Sequence, residues 1–231
     1  IARSTFSRDM HVRFGFTKPM SVLPYFLPDD TNAVGAAEGR DVASPHPRPY
    51  FLFVGRLARI KGAHTLIPQF AKYADADLLV VGDGEDEAML RALAVQAPNV
   101  HFAGRVANDQ LARYYAHAVA VLCPSVGYET FGIVLIEAMR AGVPVIARRI
   151  GPFPEIVDAS GGGLLYDRDE DLPACLAPPP EGAALGVCDG RDARRLFRET
   201  LSEVIVPGLE RLGLPAARAF ARRGEHAHLF A

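Results

Sequence analysis

Two glutamates, Glu129 and Glu137, stand eight positions apart around the start of an apolar run from Phe131 to Met139. A carboxylate inside such a run is unfavourable unless it is paired or hydrogen-bonded. Glu129 precedes the run, on a predicted loop after a buried strand. The arrangement predicts a polar ligand at a helix N-terminus that both glutamates reach. Alternatively, Glu129 caps the helix and Glu137 is a core glutamate paired with an arginine.

Two cations, Arg56 and Lys61, follow the first predicted strand, which ends just before Gly55. Ligands of open parallel sheets bind beyond the carboxyl ends of the strands, and helix N-termini there favour anions. Glycine lets the backbone approach a ligand closely. The two cations are therefore expected to bind a diphosphate. The alternative is a solvated loop with surface cations, because the chain has neither the glycine-rich dinucleotide fingerprint nor a Walker A motif.

The other candidate ligands predict no metal site. Asp167-Arg168-Asp169 resembles a two-aspartate metal motif, but helix-capping acids after a strand explain it better. The seven histidines have no convincing ligand spacing. Cys123, Cys175 and Cys188 fit no zinc motif and are expected to be reduced thiols in a cytoplasmic protein. Cys123 ends an apolar run, so we interpret it as a small buried side chain.

The elements that must position these residues alternate between strands and helices. Short runs rich in Val, Leu and Phe predict strands buried on both faces, and the stretches between them have helical length. This order predicts an α/β fold with a doubly wound, Rossmann-like parallel sheet. The predicted strands are 50–54, 77–81, 100–103, 119–123, 143–147 and 163–166, and the predicted helices include 4–14, 63–73, 85–96 and 108–117.

Composition bounds the class of protein. The 231 residues carry a net charge of -2 with a pI near 6.4, which argues against nucleic-acid binding. No apolar run approaches the length of a membrane-spanning helix. We divide the chain into the tail of a preceding domain with its connection (1–30), a flexible loop (31–48), a Rossmann-like domain (49–213) and a C-terminal helix (214–231).

Eight short motifs occur in order along residues 50–167: Gly55-Arg56-Leu57, Lys61-Gly62, Val81-Gly82-Asp83-Gly84, Phe102-Ala103-Gly104, Pro124-Ser125, Glu129 to Glu137, Gly142-Val143-Pro144-Val145-Ile146-Ala147 and Pro154-Glu155-Ile156-Val157. Together they resemble the C-terminal, donor-binding domain of retaining GT-B glycosyltransferases of family 4, the group 1 glycosyl transferases. Any single motif is weak, whereas the ordered set is highly specific.

The resemblance implies a catalytic group of three side chains. Arg56 and Lys61 would bind the diphosphate of a nucleotide-sugar donor and stabilise the charge that grows on it. Glu129 would contact hydroxyls of the transferred sugar. Glu137 would bind the ribose hydroxyls, which would supply the hydrogen bonds that its position requires.

The resemblance also implies backbone contacts to the donor. Gly55 and the amides of Phe131, Gly132 and Ile133 would approach the sugar and phosphates, and the backbone around Val106 would meet the base. Enzymes of the family typically need no metal and retain anomeric configuration, so neither a metal nor a cofactor is expected here. An N-terminal domain that binds the acceptor is expected to be missing from this chain, and its final helix would pack toward that domain.

Two other functions share most of these residues. One is a non-catalytic module that binds a nucleotide-sugar, and the other is an epimerase of the same architecture, for which no catalytic acids can be assigned. The base, the sugar and the acceptor are not specified by the sequence. Peripheral membrane association of the full enzyme is a further expectation from the resemblance.

Overall fold

The computed structural model describes residues 1–25 and 42–177. Four predicted features lie outside the described residues: the last part of the Rossmann-like domain (178–213), the C-terminal helix 214–231, most of the loop 31–48, and Cys188. Among the described helices, none has the length and apolar character needed to cross a membrane.

A six-stranded parallel sheet forms the centre of the fold, with the strand order β3-β2-β1-β4-β5-β6. This order confirms the predicted α/β, doubly wound, Rossmann-like fold. All predicted strands of the sheet are present, with bounds shifted by at most two residues. The strands are β1 (Tyr50–Val54), β2 (Asp77–Val81), β3 (Val100–Gly104), β4 (Val121–Cys123), β5 (Val145–Arg148) and β6 (Gly163–Tyr166).

Seven α-helices are described. Pro68 lies inside the second helix without ending it, and the third continues as a 3-10 turn over Ala94–Gln96. Outside the sheet, an isolated parallel bridge joins Ala2 and Val22. The helices are α1 (Thr5–Arg13), α2 (Ala63–Phe70), α3 (Glu87–Leu93), α4 (Asn108–Ala116), α5 (Ile133–Arg140), α6 (Phe153–Ser160) and α7 (Leu172–Leu176).

The sheet is covered on both faces because its strands alternate between two cores. Phe51 and Phe53 of β1 belong to the first core, while Tyr50 and Leu52 belong to the second. Helices α2, α3 and α7 contribute to the first core, and α4, α5 and α6 to the second. Burying one such leucine or phenylalanine contributes about 1.5–3 kcal/mol to the stability of the folded chain. The two cores therefore hold the strands in fixed positions.

A crevice forms where the connections after two neighbouring strands lead to opposite faces of the sheet. The connection after β1 leads to α2 on the first face, while the connection after the neighbouring β4 leads to α5 on the second. Two loops that leave adjacent strands in opposite directions open a crevice at the carboxyl edge of the sheet.

Helix α1 is attached to this edge by hydrogen bonds rather than by the sheet. The carboxylate of Glu155 on α6 accepts hydrogen bonds from the backbone amides of Thr5 and Phe6, as an N-terminal cap supplied by another helix. The hydroxyl of Ser4 accepts from the amide of Ser7 and donates to the backbone oxygen of Thr130 at 3.2 Å. The N-terminal segment therefore contacts the loop that precedes α5.

Candidate functional site

A cleft with a volume of about 280 Å³ lies between the loops that follow β1 and β4. Its walls combine apolar side chains with one cation, one carboxylate and the three hydroxyl-bearing residues Tyr25, Ser125 and Thr130. The lining residues come from six separate stretches of the chain, one of which is the N-terminal segment through Tyr25. The lining includes Tyr25, Lys61, Ser125, Glu129, Gly132 and Phe153.

An ion pair between Lys61 and Glu129 lies in the cleft. The Lys61 Nζ atom is 2.8 Å from Glu129 Oε1 and 3.0 Å from Oε2, and the Ser125 hydroxyl donates to Oε1 at 2.8 Å. The Glu129 side chain is 17% exposed and that of Lys61 35%. Because two donors hold the carboxylate on one side, its direction is defined before any ligand arrives.

The loop that carries Lys61 packs against the loop after β4, and the closest approach is at Gly62. Gly62 has φ 78°, and a Cβ atom there would lie 2.0 Å from the carbonyl oxygen of Pro124. Only glycine permits both the left-handed backbone and this approach. The contact places the 3-10 turn Arg59–Lys61 directly beside the residues that lead to Glu129.

Helix α5 begins at the cleft. Its N-cap, Gly132, has φ 108°, and a Cβ atom there would lie 2.6 Å from the ring of Phe153. Phe131, Gly132 and Ile133, which the resemblance predicts to contact the donor, all line the cleft. The first N–H groups of a helix carry a partial positive charge, so this end of the cleft favours an anion.

Glu137 lies further along α5 and is not among the residues that line the cleft. The hydroxyl of Tyr115 on α4 donates a hydrogen bond to Glu137 Oε2 at 2.6 Å. Burial, and then the neighbouring charge of Glu137, raises the pKa of Tyr115, so the phenol stays protonated at neutral pH. Tyr115 partly satisfies the half-buried carboxylate, and nothing in the spacing of the sequence pointed to it.

Arg56 points away from the cleft lining. Its side chain is 70% exposed, and its Nε atom lies 3.0 Å from Glu85 Oε2. The pKa of Glu85 is lowered, first by a backbone hydrogen bond and further by Arg56. The two predicted cations thus differ in position: Lys61 lines the cleft, whereas Arg56 is paired with Glu85 and is not part of the lining.

Gly55 and Val106 also lie outside the cleft lining. The loops after β1 and β2 touch at glycines, because a Cβ atom on Gly82 would lie 1.9 Å from the carbonyl oxygen of Gly55. Gly84 approaches Leu57 in the same way. Val106 packs against the second core. The glycines after β2 are therefore explained by contact between loops.

The acids of the Asp167-Arg168-Asp169 stretch each have an arginine partner. Asp169 pairs with Arg148, and Asp167 Oδ1 lies 3.4 Å from Arg149 Nε. Cys123 lines the cleft as a buried residue, as predicted. Burial raises the pKa of its thiol to about 12, so the thiolate is scarce at neutral pH.

Comparisons with known proteins agree on one group. Residues 48–177 match the family model described as glycosyl transferases group 1. An uncharacterized glycosyltransferase of Methanocaldococcus jannaschii is 36% identical over 139 residues, which cover 57% of this chain and 35% of that protein. A GDP-mannose-dependent alpha-(1-6)-phosphatidylinositol monomannoside mannosyltransferase of Mycobacterium tuberculosis is 39% identical over 133 residues, covering 52% of this chain and 34% of that protein.

This chain also resembles a solved structure in its fold. Sucrose-phosphate synthase from Thermosynechococcus elongatus superposes with a TM-score of 0.72 at 27% identity, covering 93% of this chain and 58% of that chain. The chain spans only about a third of the length of these two curated relatives.

Proposed function

The chain belongs to the glycosyl transferases group 1 family, and from this premise we propose that it forms the donor-binding half of a retaining glycosyltransferase. The donor is a nucleoside-diphosphate-sugar, and the transferred group is a hexose. The observation that carries the proposal is the Lys61–Glu129 ion pair, which lies at the N-terminus of α5 in the crevice between β1 and β4. Family membership favours this enzyme over a non-catalytic binding module.

The diphosphate binds between Lys61 and the first turn of α5. Lys61 supplies a full positive charge, and the amides of Gly132 and Ile133 supply hydrogen-bond donors with a favourable dipole. Glu129 already offsets the charge of Lys61 in the free chain. An arriving diphosphate therefore competes with Glu129 for Lys61, or shares it.

Glu129 recognises the sugar. A carboxylate only accepts hydrogen bonds, and Glu129 has lone pairs left after Lys61 and Ser125 are bound. Sugar hydroxyls are donors of matching geometry. Because Lys61 and Ser125 fix the carboxylate in advance, hydroxyls in the wrong position would leave it poorly satisfied, which gives selectivity.

The chemistry then depends on charge. The bond between the anomeric carbon and the phosphate oxygen breaks, and negative charge grows on the departing nucleoside diphosphate. Lys61 and the α5 N-terminus stabilise that charge, as preorganised donors do in a site that excludes water. The acceptor hydroxyl forms the new bond on the same face of the sugar, and its proton passes to the departing phosphate oxygen.

The nucleoside extends away from the cleft. Glu137 accepts hydrogen bonds from the ribose hydroxyls while Tyr115 holds its other oxygen, and the backbone at Gly55 and Val106 flanks the diphosphate and base. Arg56 joins the diphosphate only if it leaves Glu85, which its high exposure allows. We further propose that a second domain facing this one binds the acceptor, and that no metal takes part.

A nucleotide panel tests the proposal. Calorimetric titration of the chain with UDP, GDP and ADP, their sugar derivatives and the free nucleosides should reveal one base series that binds with one ligand per chain. Within that series, the diphosphate should bind more tightly than the nucleoside. Binding by none of the series, or equal affinity for nucleoside and diphosphate, would contradict the proposal.

A further inference from the structure

Three side chains that commonly bind metals meet at the opposite edge of the sheet from the cleft. Asp77 is the first residue of β2, His101 lies near the start of β3, and His46 lies in the segment before β1. Their ligand atoms all lie within 4.8 Å of one another. Asp77 is separated from the carboxyl end of β2 by four residues, or roughly 13 Å, so this cluster is distinct from the donor cleft.

The two imidazoles converge on one oxygen atom. His46 Nε2 lies 2.6 Å from Asp77 Oδ2, and His101 Nε2 lies 3.1 Å from the same oxygen. The ring centroids are 4.7 Å apart. Tetrahedral coordination with metal–ligand bonds of about 2.0–2.1 Å separates ligand atoms by roughly 3.3 Å. Small side-chain rotations therefore convert this hydrogen-bonded arrangement into a coordinating one.

The position of the carboxylate is defined by its surroundings. The Asp77 side chain is only 3% exposed, and its Oδ1 atom is buried without a hydrogen-bond partner. Arg48 Nη1 lies 2.9 Å from that atom and forms an ion pair with it. The two groups are not aligned for a hydrogen bond. Arg48 therefore holds Oδ1 and leaves Oδ2 turned toward the two histidines. Carboxylates that bind metals are commonly oriented by such a second contact.

The histidine before β1 is held by rigid backbone. Pro45 and Pro47 flank His46 and fix their own φ angles. The Ser44 hydroxyl also donates to the carbonyl oxygen of His46 at 2.7 Å. Little conformational freedom is lost when His46 binds a ligand, and this favours binding.

We propose that His46, Asp77 and His101 form a binding site for a first-row transition metal ion, with Zn²⁺ the best match. Two imidazole nitrogens and one carboxylate oxygen suit zinc, and a water molecule would complete a tetrahedral set. Each imidazole binds through Nε2 and carries its proton on Nδ1. The ion joins the segment before β1 to β2 and β3, so binding stabilises the folded chain.

Metal titrations of the chelator-treated chain test the site. Calorimetry with ZnCl₂ should show one ion per chain, and the melting temperature should rise with added zinc. CoCl₂ should produce the visible absorption of a four-coordinate cobalt site. His101 is partly exposed, so His101→Asn is expected to fold normally and to weaken metal binding at least ten-fold, as should His46→Asn.

His11→Asn is the matched control, because His11 is exposed on α1 and is remote in sequence from the cluster. It should bind zinc like the wild type. Failure of the wild type to bind zinc, or unchanged affinity in a folded His101→Asn, would overturn the site. Titration of a nucleoside diphosphate should give the same affinity with and without zinc, which separates this test from that of the donor cleft.

Discussion

The ammonium group of Lys61 contacts both carboxylate oxygens of Glu129, at 2.8 Å and 3.0 Å, although the two residues are 68 positions apart in the chain. They come from loops that follow β1 and β4, which are neighbours in the sheet although two other strands separate them in sequence. The pair therefore spans the crevice where the connections change face, the usual position of a ligand in such sheets.

Lys61→Ala should weaken binding of the nucleoside diphosphate and leave binding of the nucleoside almost unchanged. A charge-assisted hydrogen bond contributes about 1.5–3 kcal/mol, which corresponds to roughly ten- to hundred-fold in affinity. Lys72→Ala, which removes an exposed lysine elsewhere, is the control. Calorimetric titration decides between the outcomes, and equal losses for both ligands would argue against phosphate binding. Arg56→Ala should show the same selectivity.

Glu129→Gln should separate sugar recognition from phosphate binding. The substitution removes a negative charge beside Lys61, so the nucleoside diphosphate should bind as tightly as before or more tightly. The nucleotide-sugar should lose the advantage that its sugar hydroxyls provide, by about 1–3 kcal/mol. Titrations of both ligands measure this difference. A uniform loss for both ligands would indicate that Glu129 only supports the loop.

Glu137→Gln should reduce discrimination between ribose and 2′-deoxyribose. The wild type should prefer the ribonucleotide by about ten-fold or more, because a missing hydroxyl leaves part of the carboxylate unpaired. The glutamine still accepts from Tyr115, so the fold should persist. Affinities for both nucleotides and the melting temperature are measured on the same proteins. A structural role alone would lower the melting temperature and leave the ribose preference unchanged.

Gly62→Ala should destabilise the chain more than Gly161→Ala. Both glycines have positive φ, 78° and 62°, which costs alanine about 1–2 kcal/mol. Only at Gly62 would the new methyl group meet backbone, at 2.0 Å from the Pro124 oxygen, and such overpacking adds about 1–3 kcal/mol. Urea unfolding compares the two variants. Equal losses would show that the loop moves to accommodate the methyl group.

Donor binding should survive a chelator. The acids nearest to a metal motif, Asp167 and Asp169, are each paired with an arginine. Lys61 and the α5 N-terminus are expected to supply the positive charge instead. Titration of the nucleotide with excess EDTA should give the affinity found without it. If EDTA abolished binding and Mg²⁺ restored it, the prediction would be wrong, and Asp167 and Asp169 would become candidate metal ligands.

The sequence by itself determined the fold class and most element bounds. Short apolar runs predict buried parallel strands, and the periodic stretches between them predict helices. Both predictions depend only on residues that are close together in the chain. The sequence also predicted a helix N-terminus after Glu129, where Phe131, Gly132 and Ile133 line the cleft, whereas their contacts with a donor stay a prediction from the resemblance. The ordered motifs likewise led to the family that the comparisons confirm.

Only the tertiary structure decided which polar groups are partners. Arg56 and Lys61 were predicted to act together, but the fold pairs one with Glu85 and the other with Glu129. Glu137 is bound by Tyr115, a partner that sequence spacing did not indicate.

The cluster of His46, Asp77 and His101 was also decided by the tertiary structure. The spacing of the two histidines in the sequence did not indicate a metal site, but the fold brings them close to each other and to Asp77. The physical reason is that a parallel sheet brings together residues whose separation depends on strand order and register. Hydrogen bonds and ion pairs act over about 3 Å, whereas sequence patterns report only the local periodicity of burial.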